Sequence, residues 1–276
     1  MKKIIFVLAV MISIRALGQS EPNDPNKLKP MFTGKTYVMI VSGLNTDPDE
    51  RQSKDRAVLN LRKFFGKKLK VDDRSMKVLV CSNSFAKKDS LESTAANLEK
   101  AFSDMAGMIG PGDRFVFYYV GHANLVAGSL RINLPGTDIT GSQLAEWINR
   151  IKAESMLVVL DCPGAGLVVK KLAVAGRVII CSCRSDQLYS PRFSDYFVPA
   201  LEDSVADSDG DGEISVLDAF TLASQQIDEL YREQDLLKTE TPLLEDNGDG
   251  IPSELPWRYQ KDKNDGQTAA KFFLKV

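Results

Sequence analysis

The chain has 276 residues, 43% of them hydrophobic and 26% charged, with a formal net charge of −2. That length can bury a sizeable core, as one large domain or two small ones. So small a net charge offers no footing for a nucleic-acid partner or an anionic membrane surface, and beyond the N-terminal segment no stretch approaches the ~20 apolar residues of a membrane span.

The first residues read as an export signal rather than as part of the fold. Lys2-Lys3 form a basic start, Ile4 to Ile14 an apolar run too short to cross a bilayer, and Ala16-Leu17-Gly18 a small-residue cleavage site before Gln19. Residues 1–18 are therefore expected to be a signal peptide and 19–34, rich in Pro, Asn and Lys, a flexible leader. The expected location is exported, periplasmic or extracellular, with no membrane contact beyond the cleaved signal. Export bears on the four cysteines, Cys81, Cys162, Cys181 and Cys183. They stand at or near the ends of apolar runs, not in the dense spacing of a disulfide framework. Cys81, Cys181 and Cys183 read as buried small hydrophobes, one bridge remaining open, and Cys-x-Cys with a single histidine elsewhere is a poor zinc pattern.

From Lys35 a regular alternation begins. "KTYVMIVSG" is a continuous β-branched run, as expected of a strand covered on both faces. "DRAVLNLRKFFGKKL" places Val58, Leu59, Leu61, Phe64, Phe65 and Leu69 at helical spacing. "MKVLVCSN" is the next strand, and "SLESTAANLEKAFSDMAGMIG" a helix started by Ser90 and Glu92 and stopped by Gly110-Pro111-Gly112. "DRFVFYYVGH" is a third strand, "SLRINLPG" a short extended excursion, and "TGSQLAEWINRIKA" a helix with Leu144, Trp147, Ile148 and Ile151 on one face. "MLVVLDC" and "RVIICSC" complete the strands. Strand–helix–strand repetition predicts an α/β fold, a three-layer αβα sandwich on a mainly parallel sheet over 35–200. Residues 201–276 are expected to add an acidic loop and a C-terminal helical extension packed on the same domain.

In open α/β sheets the chemistry gathers at the carboxyl ends of the strands. Asn45, Cys81, His122, Cys162 and Cys183 all fall at or just past such ends, and His122 is the only histidine in the chain. A thiol becomes a nucleophile as the thiolate, which an imidazole can stabilise and from which it can relay a proton. His122 and Cys162, brought together, would suffice for acyl transfer, with backbone amides of the Gly164–Gly166 stretch as oxyanion donors. Equally, His122 can be a capped strand-end residue and Cys162 a core thiol.

"VFYYVGHA", followed by "VVLDCPGAG", resembles the caspase–legumain clan of cysteine peptidases, and within it the bacterial secreted caspase-like or legumain-type members. The resemblance covers roughly Lys35 to Tyr196 and implies a caspase–hemoglobinase-like sheet. It implies His122 as general base, Cys162 as nucleophile, backbone amides at Ala123 and Gly164 as oxyanion hole, and Arg184, Ser185 and Asp186 beside the P1 pocket. Two departures stand out. Ala123 follows the histidine where the clan has glycine, and the register of the nucleophile is open. Read as Cys-x-Gly, Cys162 is the nucleophile; read as Cys-x-Ser-Gly, Pro163 takes that place, with neither a thiol nor an N–H to offer.

"DSDGDGEISVLD" matches the twelve-residue calcium loop of an EF-hand. Asp207, Asp209 and Asp211 supply carboxylates at positions 1, 3 and 5, Gly212 the sharp turn, Glu213 a backbone carbonyl at 7, and Asp218 closes at 12. Carboxylates at this spacing with no basic partner repel one another unless a hard cation neutralises them. Ca2+ is therefore the expected cofactor, in a structural role between an entering helix "SDYFVPALEDSVA" and a leaving helix "ISVLDAFTLASQQIDELYREQ". A second stretch, "EDNGDGIPSE", repeats the pattern with Glu245, Asn247, Asp249 and Gly250, but its twelfth position is Pro256. Together these readings lead to an exported, Ca2+-stabilised cysteine endopeptidase acting on a peptide or protein. The alternative is a catalytically degenerate pseudo-peptidase kept as a calcium-binding or peptide-binding module.

Overall fold

The computed structural model describes residues 34–45, 47–258 and 265–274; the expected signal peptide and all but the last residue of the leader lie outside them. The strands are β1 (Thr36–Ser42), β2 (Met76–Val80), β3 (Leu91–Glu92), β4 (Arg114–Val120), β5 (Ala123–Val126), β6 (Ser129–Ile132), β7 (Ile139–Thr140), β8 (Ser155–Asp161), β9 (Arg177–Cys181) and β10 (Leu243–Glu245). The helices are α1 (Pro48–Lys63), α2 (Ala95–Met108), α3 (Gly141–Asn149), α4 (Val169–Leu172), α5 (Phe193–Ala200) and α6 (Val216–Glu233). One sheet runs β10-β9-β8-β4-β1-β2-β3. Its pairs are parallel except at one edge, where β10 runs antiparallel to β9. A small antiparallel sheet, β5-β6-β7, sits beside it.

The strands are two-sided, as their unbroken apolar runs predict. Tyr37, Met39 and Val41 of β1 join Leu98, Phe102 and Met105 of α2 and Leu144, Trp147 and Ile148 of α3 in one core. Val38 and Ile40 join Val58 and Leu61 of α1, Phe193 and Phe197 of α5, and Phe220 and Ile227 of α6 in another. Period-2 alternation sends neighbouring side chains to opposite faces, so one mainly parallel sheet carries two cores. The architecture is mixed α/β and compatible with a three-layer sandwich.

Local chemistry sets the element ends. Asp47 caps α1 by accepting the N–H groups of Asp49 and Glu50, each at 2.9 Å, with Pro48 at the first turn. The helix expected from Ser90 starts later. Thr94 is its cap, accepting the Asn97 N–H, while Leu91 and Glu92 extend to pair with Leu79 and Val80. Thr140 and Gln143 form a capping box on α3. The extended excursion is a hairpin turned at Ala127 and Gly128, both at positive φ, as a two-residue turn between twisted strands requires.

The segment after residue 200 departs from expectation in two ways. The entering helix of the acidic loop was predicted to run to about residue 206, but α5 ends at Ala200, one residue after Pro199. Pro199 has no N–H for the Asp195 carbonyl, which weakens this last turn, and Asp203 then folds Ser204–Ala206 into a single tight turn by accepting the Val205 N–H. A helix-loop-helix pair in the strict sense is therefore not formed. Residues 201–274 also supply more than helix: α6 covers a face of the main sheet and β10 becomes its edge strand, Leu243 lying opposite Cys181.

Candidate functional site

The rim formed by β1, β4 and β8 is closely packed. A Cβ on Gly43 would fall 2.0 Å from the Tyr119 hydroxyl oxygen, and one on Gly121 would meet the Gly43 backbone at 2.8 Å. The Tyr119 hydroxyl donates to the His122 carbonyl at 2.8 Å, and the His122 N–H donates to Leu44 O at 3.2 Å. The backbone of His122 is held firmly while its side chain is exposed.

Cys162 is in a different environment. It is 0% exposed and continues the alternation of Met156, Val158 and Leu160 into the core beneath α2 and α3. Burial pushes its thiol well above the ordinary value, and the neighbouring Cys183 and Cys181 act in the same direction. Cys183 is itself pushed up to about 11, and its sulfur donates to the Cys162 carbonyl at 3.2 Å. A nucleophilic cysteine needs the opposite surroundings, electropositive and partly open. All four cysteines are free, so Cys81, Cys181 and Cys183 occupy the buried positions expected of small apolar residues.

The register is informative here. β4 and β8 pair from Arg114↔Ser155 to Val120↔Asp161. Past these pairs the strands part: His122 bonds Leu44 and Asn133 through its backbone, while the chain after Asp161 turns at Gly164.

The oxyanion candidates are likewise engaged. The Gly164 N–H donates to Gln187 O at 2.9 Å, the Ala165 N–H to Cys162 O at 3.3 Å, and the Gly166 N–H to Cys183 O at 3.1 Å. Ala123 is buried at the start of β5, opposite Ile132. Arg184, Ser185 and Asp186 are exposed. Arg184 pairs with Asp186 at 3.2 Å and with Glu254 at 3.5 Å, so the acidic group suggested for a P1 pocket is already matched.

The residue before Cys162 has a structural task. Asp161, fully buried, accepts the Ser194 N–H at 3.0 Å in the first turn of α5, and the Ser194 hydroxyl as well. Lys54 of α1 lies 3.8 Å from the same carboxylate and donates to Pro191 O at 2.6 Å. Beyond it, fully buried Glu240 accepts the Arg192 N–H at 2.9 Å and the Tyr231 hydroxyl at 3.2 Å. Lys54 and Glu240 carried no signal in the sequence, because each is a charged residue in an otherwise polar local stretch.

Burial raises Glu240 from 4.5 to about 7; Asp161 adds to the rise, while the Arg192 amide, the Tyr231 hydroxyl and Lys54 oppose it. Between those two values the folded protein holds a proton that the unfolded chain has lost, so stability falls as pH rises through that window. Glu240→Gln should remove that slope. At pH 8 it should raise stability by on the order of 2 kcal/mol, allowing for relaxation around the charge, with little effect at pH 4. Denaturant melts of both proteins at the two pH values check this; parallel pH profiles would reject it.

The acidic loop forms a converging oxygen cluster. One oxygen from each of Asp207, Asp209 and Asp211 lies within 4.8 Å of the other two. Side chains fold the loop: Asp207 accepts the Gly212 N–H at 3.0 Å, Asp209 that of Asp211 at 3.2 Å, and Asp211 that of Glu213 at 2.8 Å. Gly210 and Gly212 supply positive φ. Oδ1 of Asp207 is buried and without a hydrogen-bond partner among the described residues, which suits a cation. Burial, then the carboxylates of Asp211, Asp218 and Asp207, push Asp209 up despite the Asp211 amide. Glu213 is half-buried. Asp218 is committed to the start of α6: its Oδ2 accepts the Ser215 N–H and hydroxyl, and its Oδ1 the Ser208 hydroxyl at 2.7 Å.

No family model and no curated protein matches the chain. No helix among the described residues is long and apolar enough to cross a membrane.

Proposed function

We propose that the chain is a catalytically degenerate member of the caspase–legumain group, its caspase–hemoglobinase-like scaffold kept as an exported calcium-binding module. The observation that carries this reading is the burial of Cys162 in the apolar core, where its thiolate is disfavoured. The engaged amides of Gly164, Ala165 and Gly166 support it further. So does the sheet order, mainly parallel with one antiparallel edge, in a chain whose His and Cys motifs resemble that clan. The calcium half of the reading rests on the convergent Asp207, Asp209 and Asp211 carboxylates; Glu213 and Asp218 hold the seventh and twelfth positions of the loop, where its pattern would place further ligands. Glycine at the αL positions and all-oxygen donors suit Ca2+ better than a softer metal.

The test is activity. Reporter peptides with Arg, Lys, Asn or Asp at P1 should be turned over no faster by the purified protein than by its Cys162→Ala variant. Iodoacetamide should modify native Cys162 on the order of 100-fold more slowly than the unfolded thiol, since labelling requires opening of the core. Turnover that Cys162→Ala abolishes would overturn the reading in favour of a working peptidase.

A further inference from the structure

The second acidic stretch plays no part in the reading above. We propose that it is a second cation site, taking a hard divalent cation of the calcium class on Glu245, Asn247 and Asp249, with Asp265 closing the loop from a distant part of the chain.

The observation that points to a ligand is Glu245. The residue is 0% exposed, and its carboxyl group is turned into the loop, where Oε1 accepts the N–H groups of Gly248 at 2.6 Å and Gly250 at 3.3 Å. Its other oxygen, Oε2, is buried with no hydrogen-bond partner among the described residues. Asp246 and Asp265 beside it are 1% and 2% exposed. No ion pair with lysine or arginine reaches any of these three among the described residues. Arg177 acts on Glu245 only at longer range and spends its Nη1 on Asn149 and the Leu172 carbonyl. Buried carboxylates without a cation are costly, and pairing or metal coordination is the usual remedy.

The loop around Glu245 has the same internal wiring as the first. Glu245 accepts the Gly250 N–H as Asp207 accepts that of Gly212; Asn247 accepts that of Asp249 at 2.8 Å as Asp209 accepts that of Asp211. Asp249 accepts that of Ile251 at 2.7 Å as Asp211 accepts that of Glu213. Gly248 and Gly250 take positive φ, as Gly210 and Gly212 do.

The correspondence extends to the closing acid. In the first loop the ninth residue, Ser215, donates its hydroxyl to Oδ2 of Asp218 at 2.6 Å. In the second the ninth residue, Ser253, donates its hydroxyl to Oδ2 of Asp265 at 2.7 Å. Pro256 stands at the twelfth position, and it is Asp265 that accepts the hydroxyl of the ninth residue. Asp246 is the positioning residue that brings it there: its carboxylate binds the N–H groups of Gly266, Thr268 and Ala269, and its own N–H donates to Asp265 at 3.1 Å. Every donor is an oxygen and no histidine or cysteine is involved, which selects a hard cation with flexible coordination. A cation here would tie β10 to the 265–269 segment.

Calorimetric titration of the chelator-stripped protein with CaCl2 tests this independently of the first loop. The wild type should bind two equivalents. Asp249→Asn, at an exposed position where folding is not at stake, should weaken one of them at least tenfold, and Asp209→Asn should weaken the other. The double variant should bind neither, with far-UV circular dichroism unchanged throughout. A single equivalent in the wild type that Asp249→Asn leaves intact, or a second equivalent indifferent to Asp249→Asn, would overturn the proposal. Loss of the Asp209-dependent equivalent alone would instead count against the calcium reading of the first loop.

Discussion

Lys54→Met should destabilise the protein by about 3–5 kcal/mol, the cost of leaving a buried charge without its partner. Lys54 and Asp161 are both buried, with side chains 4% and 0% exposed and 3.8 Å apart. The Asp161 carboxylate accepts two bonds from Ser194, and its Oδ1 is buried with no hydrogen-bond partner among the described residues. The lysine is the only cation that pairs with it among those residues. Methionine keeps most of the volume of the lysine stem and removes the charge, so the loss reports electrostatics rather than a cavity. Adding Asp161→Asn should then recover more than half of the loss, because an amide can still accept from Ser194 and carries no charge. Denaturant unfolding of the wild type, both single variants and the double variant closes the cycle. If the two losses simply add, the pair is not coupled and the three-way junction of α1, β8 and α5 does not depend on the ion pair.

Removing Ca2+ with EDTA should lower the melting temperature by about 5–10 °C from its value in ~10 mM CaCl2, for a loop with a Kd near ~10⁻⁴ M. On the calcium reading the physical source is the cluster of Asp207, Asp209 and Asp211, which would lose its counter-charge while its oxygens lie within 4.8 Å of one another. The loop leads directly into α6, whose Phe220 and Ile227 belong to the core on that face of the sheet. Repulsion in the loop should therefore be felt by the fold as a whole. Asp209→Asn relieves part of the repulsion and removes a ligand, so this variant should melt higher than the wild type in EDTA and respond less to added Ca2+. A wild type whose melting temperature ignores both chelator and metal would remove calcium from the account.

Much of the fold could be read because its strands are buried on both faces, and unbroken runs such as "TYVMIVS" and "SMLVVLD" have few other uses. The two edge strands escaped for the same reason in reverse. β3 is two residues long and β10 three, and neither carries a period of its own. β10 becomes a strand only because β9, more than sixty residues earlier, offers it an edge. The start of α2 was misplaced because Ser90 and Glu92 are locally as good as Thr94, and pairing of Leu91 with Leu79 decided between them.

The two candidate sites differ in the same way. The amino-acid sequence by itself determined the acidic loops, because Asp, Asn and Gly at alternate positions fold a loop through contacts no more than five residues apart. It also placed His122 and Cys162 just past the ends of two strands of an α/β sheet, and the structure makes those strands neighbours. Only the tertiary structure decided which way Cys162 faces. A shift of one residue turns a strand-end side chain from the rim to the core, and that choice belongs to the register of β8 against β4 and to the helices covering it. It likewise decided that Asp265, twenty residues from Glu245, accepts the hydroxyl of Ser253 at the end of the second loop. Local spacing can specify a turn, but closing a site with a residue from elsewhere in the chain takes a packed interior to hold both ends.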